Sequence, residues 1–300
     1  MDARAQRDGT DDARSTRRIG RLLLAPATGA LAVWMLVPLA MTLWFSFQRY
    51  NLLNPQSRGP AGWSNYAALL GEATLWTALL NTIALVGGVL VLSVIGGLVV
   101  AAIFDEPFPG RRAARLLVIA PFFVMPTVSA LVWKNLLLHP VNGLLAAALH
   151  GFGLPAIDAF TDWPMSSIVL IVAWQWTPFA ALIFMTSMQS IDPSIGEAAA
   201  LDGAGWHTRF FHLVLPHLGR AIGVVVMIES IFLLSTFAEI LVTTSGGPGL
   251  ATTNLAYLIY LKALLQYDVG YASAGGVIAI LLANAVAVFF MRTVSRSLAA

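Results

Sequence analysis

Six long apolar stretches constrain this chain more than any other feature of its sequence. They cover residues 22–47, 77–104, 116–138, 165–188, 221–242 and 272–291. A helix of about 20 mainly apolar residues spans the hydrocarbon core of a bilayer. Because 58% of the 300 residues are hydrophobic and only 11% are charged, the composition excludes a soluble domain. The sequence therefore predicts an all-α membrane protein with six transmembrane helices.

Basic residues are distributed unevenly between the two sides of this arrangement. With the N-terminus in the cytoplasm, 13 of the 17 lysines and arginines fall on the cytoplasmic side. The other four are Arg49, Arg58, Lys134 and Lys262. Positive charge is concentrated in the cytoplasmic loops of membrane proteins. We therefore expect both tails to be cytoplasmic: a disordered one at the N-terminus, residues 1–21, and a short one at the C-terminus, residues 292–300.

One long polar segment, residues 192–216, interrupts the apolar second half of the chain. Asp192 is suited to cap the start of a helix, and the alanine-rich run that follows favours helix formation. Asp202 and Gly203 predict a turn, because glycine adopts positive φ at little steric cost. A second helical run is expected to stop at Pro216. The segment is thus predicted to form a cytoplasmic hairpin whose alanine face lets another protein approach closely.

The hairpin resembles the EAA loop of permease subunits in binding-protein-dependent ABC importers. Glu-Ala-Ala at 197–199, Asp-Gly-Ala at 202–204, Phe210 and Leu-Pro at 215–216 carry the resemblance. The flanking segments Ala-Trp-Gln-Trp-Thr-Pro and Ser-Gly-Gly-Pro are similar to those of the maltose-type carbohydrate branch, and the sorbitol/mannitol group looks closest. The resemblance implies a type I ABC importer permease fold, with a core of five spans over residues 77–291.

The resemblance also implies a division of labour between subunits. The hairpin would be a coupling helix that docks onto a separate ATPase. The residues implied in this coupling are Glu197, Ala198, Ala199, Asp202, Gly203 and Ala204. The implied partners are a second related permease, two copies of an ATP-binding subunit and an external solute-binding protein, all at a bacterial inner membrane.

The sequence contains no G-x-x-x-x-G-K-[ST] segment that could hold a nucleotide. We therefore expect ATP and magnesium in the partner ATPase, no cofactor in this chain and no enzymatic activity of its own. His207, His212 and His217 step by five residues and do not share a helical face, so they do not predict a metal site.

Polar residues within the fifth apolar stretch are candidates for a solute site. Glu229 and Glu239 lie there, and a carboxyl group in hydrocarbon is costly unless it faces water or a partner. On one continuous helix, Glu229 and Thr236 would share a face, and Ser235 would lie one turn from Glu239. The resemblance implies that this helix lines the sugar site. The alternatives are a cation partner or a protonated, interface position for Glu229, and simple solvation for Glu239.

In the fourth stretch, Gln175 and Trp176 combine an amide with an aromatic ring, as sugar-binding surfaces do. Packing is the alternative role for the tryptophan. The predicted solute is a polyol or sugar, with an oligosaccharide or a glycerol-phosphate-type solute as the alternative. A passive channel and a non-transporting assembly subunit are the competing functions.

Overall fold

The computed structural model describes the backbone of residues 2–105 and 107–299, and the side chains of residues 24–105 and 107–292. The chain is mostly helical over this part. Its helices are α1 (Asp2–Ser46), α2 (Ser64–Gly71), α3 (Ala73–Ile103), α4 (Arg111–Ile119), α5 (Pro126–Val132), α6 (Leu144–Gly151), α7 (Ala159–Asp162), α8 (Pro164–Met188), α9 (Pro193–Leu201), α10 (Trp206–Arg209), α11 (Leu215–His217), α12 (Gly219–Leu233), α13 (Ala238–Thr243), α14 (Leu255–Tyr260) and α15 (Val269–Ala299). Two short antiparallel strands, β1 (Gln48–Arg49) and β2 (Gly59–Pro60), close the loop between α1 and α2.

Four of the described helices are long and apolar enough to cross a bilayer: α1 over Leu24–Ser46, α3, α8, and α15 over Val269–Arg292. Two bent helix pairs supply the remaining apolar lengths, Arg111–Phe123 with Pro126–Leu137, and Trp206–His217 with Gly219–Leu233. Each of the six predicted stretches overlaps one of these helices or pairs, and the second pair also includes residues 206–216 of the predicted polar hairpin. Residues 2–21, predicted as a disordered tail, continue α1 in the backbone, and the cytoplasmic placement of both tails stays a prediction.

The third apolar stretch is broken rather than kinked. Pro121 lies in a 3₁₀ turn, Ala120–Phe123, and Pro126 begins α5, so the two halves meet at 106°. Proline lacks the N–H that would continue the helical hydrogen bonding, which explains why the break falls between these two residues. The two prolines thus mark the position of the bend.

The fifth apolar stretch is not the continuous helix predicted over residues 221–242. Helix α12 ends at Leu233, and α13 begins only at Ala238. Asn254 donates a hydrogen bond from Nδ2 to the backbone oxygen of Thr236 at 2.6 Å. A side chain from the following outer segment therefore satisfies a carbonyl inside the break, as a break at membrane depth requires.

The centre of the fold is the close packing of α3 against α8. A Cβ atom added at Gly97 would lie 2.7 Å from Ala180 Cβ, and one at Gly88 would lie 3.0 Å from Val169 Cγ1. Only glycine lets the two backbones approach this closely, as expected for small residues between membrane helices. Helix α12 packs against the same pair, so the hairpin and the fifth stretch are attached to the most closely packed part of the molecule.

Candidate functional site

The predicted hairpin forms outside the spanning helices. The Asp192 carboxylate accepts a hydrogen bond from the backbone N–H of Ser194 at 2.9 Å, which caps α9 as predicted. Hydrogen bonds from the backbone and the side chain of Ser194 lower the pKa of Asp192. Gly203 turns the chain with a φ of +82°, the left-handed conformation that glycine favours. The sequence-based prediction of a capped helix followed by a glycine turn is confirmed in this geometry.

The outer surface of α9 is small but not uniformly alanine. Ala198 and Ala200 are exposed, whereas Ala199 is half-buried, because three consecutive residues point in three directions around a helix. Glu197 is exposed one turn from the start of α9. At the tip, the large apolar side chain of Leu201 is 89% exposed.

Leu201 is a candidate that the sequence reasoning missed. Its signal was available, because it is a large aliphatic residue directly before the Asp202–Gly203 turn of a polar loop. An exposed apolar residue in a polar surrounding is a common anchor for a protein partner. Asp202 and Gly203 are exposed and Ala204 is half-buried at the turn itself. The coupling candidates therefore form one continuous tip, with Leu201 as its largest apolar member.

The second arm of the hairpin ends at His217, one residue beyond the predicted stop at Pro216. Helical backbone continues from α10 through a π-helical turn over Phe210–Val214 into α11, and Pro216 lies directly after that turn. The path then bends by 59° into α12. His217 Nε2 lies 3.0 Å from Ser190 Oγ and ties the bend to the end of α8. The hairpin is thus joined directly to the fifth apolar stretch.

Glu229 lies in the interior, where α12 packs against α3 and α8. It is fully buried, and Ser93 donates a hydrogen bond from Oγ to Glu229 Oε2 at 2.5 Å. Among the described residues, Glu229 Oε1 has no hydrogen-bond partner. No cation pairs with it there, so of the predicted roles the helix-interface position is the one that this geometry matches.

The other candidates of the fifth stretch lie in or after its break. Ser235 is exposed and donates from Oγ to the Phe232 oxygen at 2.7 Å, and Thr236 is half-buried. Because the helix ends at Leu233, the predicted shared face of Glu229 and Thr236 does not exist. Glu239 is 5% exposed at the start of α13, so it is buried rather than solvated.

Gln175 and Trp176 both face other parts of the protein. Gln175 is buried and donates from Nε2 to the Val124 oxygen at 3.0 Å, which satisfies a carbonyl freed by the break in the third stretch. The Trp176 ring contacts Phe122 and Phe232, with centroid separations of 5.8 and 5.6 Å. Phe232 is more than half exposed, so this aromatic cluster reaches the surface next to the fifth-stretch break.

Lys134 is a second residue whose role the sequence reasoning missed. Its Nζ donates to the backbone oxygens of Val242 and Thr243 at 2.9 and 2.8 Å. These carbonyls end α13, where the negative end of the helix dipole favours a cation. Lys134 therefore holds the C-terminal half of the third stretch to the C-terminal half of the fifth. A lysine inside an apolar stretch was a signal for such a partner.

Comparisons with known proteins identify the family. Residues 93–300 match the family described as binding-protein-dependent transport system inner membrane component. The sulfoquinovosyl glycerol transport system permease protein SmoG of Agrobacterium fabrum is 31% identical over 93% of this chain and 91% of its own length. The sn-glycerol-3-phosphate transport system permease protein UgpA of Yersinia enterocolitica is 33% identical over 92% and 93%.

A solved structure has the same fold. A bacterial ABC transporter involved in the import of the acidic polysaccharide alginate matches with a TM-score of 0.78 at 21% identity, over 97% of this chain and 99% of that one. The type I permease fold predicted from the sequence is therefore confirmed. The chain belongs to the binding-protein-dependent transport system inner membrane components, and it is a membrane-embedded transport subunit rather than an enzyme.

Proposed function

We propose that this chain is one permease of a pair that imports a polyhydroxylated solute delivered by an external solute-binding protein. The energy comes from ATP hydrolysis in separate subunits, which also hold the ATP and magnesium. The observation that carries the proposal is the exposed hairpin tip, Leu201 to Ala204, on an arm joined directly to the fifth apolar stretch. A passive channel has no use for such a tip.

The coupling path follows from the connectivity. Trp206 stacks on Phe210 with a centroid separation of 5.3 Å, so the second arm is a stiff unit. That arm leads through the 59° bend into α12, which packs against α3 and α8. A displacement of the tip by the ATPase would therefore rotate or shift α12 rather than dissipate in a loose loop. Movement of α12 would change the position of the break that follows Leu233.

The proposed assembly contains a second related permease and two ATPase copies, one docked on each permease hairpin. Both termini and the hairpin of this chain are placed in the cytoplasm, in line with the distribution of 13 of the 17 basic residues. The external face is formed by the β1–β2 loop and by the segments around α6 and α14. This face is where the solute-binding protein delivers its cargo.

The proposed solute site is the surface beside the fifth-stretch break. Ser235, Thr236 and Trp176 are the candidates that a solute reaches without helix movement, and Phe232 adds an exposed ring for stacking. Contact with Glu229, Glu239 or Gln175 requires these helices to open, because all three side chains are buried.

For the solute itself, a polyol was the sequence-based prediction. The relatives named above transport sulfoquinovosyl glycerol and glycerol-3-phosphate, which supports a glycerol-bearing solute. Titration of the cognate solute-binding protein with sorbitol, mannitol, glycerol-3-phosphate and glycosyl glycerols ranks these possibilities. Tight binding of sorbitol alone would favour the polyol prediction over the glycerol-bearing solute.

Reconstitution of the complex tests the coupling role. Leu201→Asp places a charge where an apolar contact is proposed, so ATP-dependent uptake should fall at least tenfold while the permease pair stays assembled. Leu201→Met is the matched control, because it keeps a large apolar side chain at the same position, which is 89% exposed. Uptake by Leu201→Asp at the level of Leu201→Met would contradict the proposed docking.

A further inference from the structure

An apolar groove runs between the cytoplasmic end of α3 and the second arm of the hairpin. Its volume is about 580 Å³. Its walls are formed by Ile95, Val99, Ile103, Trp206, Phe210 and Phe211. The α3 residues recur at helical spacing and are each between 54% and 57% exposed. The groove is therefore open to the surroundings, on the side of α3 that does not face α8.

The position of the groove places it at the boundary of the membrane. Its α3 wall lies within the last three turns of a spanning helix, and the polar turn after Phe104 begins directly below it. The opposite wall is aromatic, and Trp206 is characteristic of the level of the lipid headgroups. An apolar chain lies in such a groove at no desolvation cost, whereas water has few polar partners there.

Basic side chains lie at the end of the groove that is next to the end of α3. Arg111 donates from its guanidinium to the Phe104 oxygen, which fixes it at the end of α3, and His207 lies at the groove itself. Arg209 lines the adjoining cavity, where Asp105 and Asp192 are its acidic neighbours. The Nε atom of Arg111 has no hydrogen-bond partner among the described residues. Arg111 is therefore the basic residue at this end whose guanidinium group is suited to an anionic group.

We propose that the groove binds one acyl chain of an anionic phospholipid of the cytoplasmic leaflet, with its phosphate beside Arg111 and His207. The inference rests on the proposed cytoplasmic placement of the hairpin. Guanidinium groups are the preferred side-chain partners of phosphate oxygens. Because the acyl chain fills the space between α3 and α10, the bound lipid links the membrane to the coupling arm. ATP hydrolysis coupled to uptake should therefore depend on anionic lipid.

The test uses the complete complex in nanodiscs that contain phosphatidylglycerol and phosphatidylcholine, followed by native mass spectrometry of retained lipid. Val99→Trp fills the groove and should reduce retained phosphatidylglycerol at least fivefold. Ile83→Trp is the matched control, because Ile83 is similarly exposed on the outer half of α3. Arg111→Gln should abolish the preference for phosphatidylglycerol while leaving an acyl chain in place.

A labelling experiment avoids any folding defect of the tryptophan variant. The chain contains no cysteine, so Val99→Cys introduces a single thiol. Reaction of the purified complex with an alkyl maleimide should displace the lipid and reduce the stimulation of uptake by phosphatidylglycerol. The same reagent on Ile83→Cys should do neither.

Three results would overturn the proposal. Equal lipid retention in Val99→Trp and Ile83→Trp would show that the groove does not hold lipid. Equal retention of phosphatidylcholine and phosphatidylglycerol by the unmodified chain would show that the groove does not select an anionic headgroup. A crosslink from Val99→Cys to the second permease would make the groove a protein interface. In each case ATP-dependent uptake that still requires Leu201 would leave the proposed coupling function intact.

Discussion

Removal of the Ser93 hydroxyl tests most directly whether Glu229 has a structural role between α3 and α12. Ser93 Oγ donates to Glu229 Oε2 at 2.5 Å between α3 and α12, and both residues are fully buried. Glu229 Oε1 already has no partner among the described residues. Ser93→Ala therefore leaves the carboxyl group without this hydrogen bond. A buried polar group left unpaired costs about 1–3 kcal/mol, and a charged one costs more.

Two companion variants separate this loss from simple repacking. Glu229→Gln keeps an acceptor oxygen for Ser93 and removes the ionisable group, so its free energy of unfolding should stay within about 1 kcal/mol of the unmodified chain. The double variant Ser93→Ala with Glu229→Met replaces both partners by apolar groups, a change that is often nearly neutral. The expected order of stability places Ser93→Ala lowest, with the other two above it.

Unfolding of the purified complex in one lipid composition measures this order, and uptake kinetics on the same preparations measure the apparent affinity for the solute. The reasoning fails if Ser93→Ala is as stable as the unmodified chain while Glu229→Gln lowers apparent affinity tenfold or more. That outcome would place Glu229 against the solute during transport. A loss of stability with unchanged affinity would instead support the interior position.

Three further predictions concern other parts of the chain. Gly203→Ala should cost about 1 kcal/mol because φ is +82°, whereas Gly203→Pro should abolish ATPase stimulation by the loaded binding protein, and normal stimulation would contradict the coupling role. Lys134→Met should destabilise the complex by about 2 kcal/mol, because it removes charged hydrogen bonds to the end of α13; an unchanged unfolding midpoint would refute this. Burial would raise the pKa of Glu72, but hydrogen bonds from Tyr271 and Lys262 outweigh burial and lower it, so Glu72 stabilises the fold above the ordinary carboxyl pKa. The unfolding midpoints of the unmodified chain and Glu72→Gln should therefore differ most at neutral pH. This difference should disappear as the pH falls through the lowered pKa of Glu72.

The features that the sequence predicted well depend on local chemistry. Membrane spans follow from hydropathy, and the start of α9 follows from Asp192, whose side chain needs only the next turn of backbone to act. The turn at Gly203 has the same local origin. The bend at Pro121 and Pro126 could be located for this reason, because proline breaks a helix whatever surrounds it.

The break after Leu233 could not be predicted in this way. No proline lies between residues 221 and 242, and the apolar run reads as one helix. The break is stabilised by Asn254, which lies 18 residues beyond the carbonyl of Thr236 that it contacts. A helical wheel of the fifth stretch therefore grouped Glu229 with Thr236, although the two lie on different segments of the structure.

The breaks also change how the polar residues at membrane depth are interpreted. A carbonyl freed inside a bilayer must be satisfied by protein or by water in a cavity. Gln175, Asn254 and Lys134 each donate to backbone oxygens at or beyond a break, so their polar groups are used by the fold itself. Such residues resemble ligands in a sequence because both roles require a polar group in an apolar segment. Ser235 also donates to a backbone oxygen, but Ser235 is exposed and Thr236 is half-buried beside the break. This accessibility makes these two residues the stronger candidates for contact with a polyhydroxylated solute.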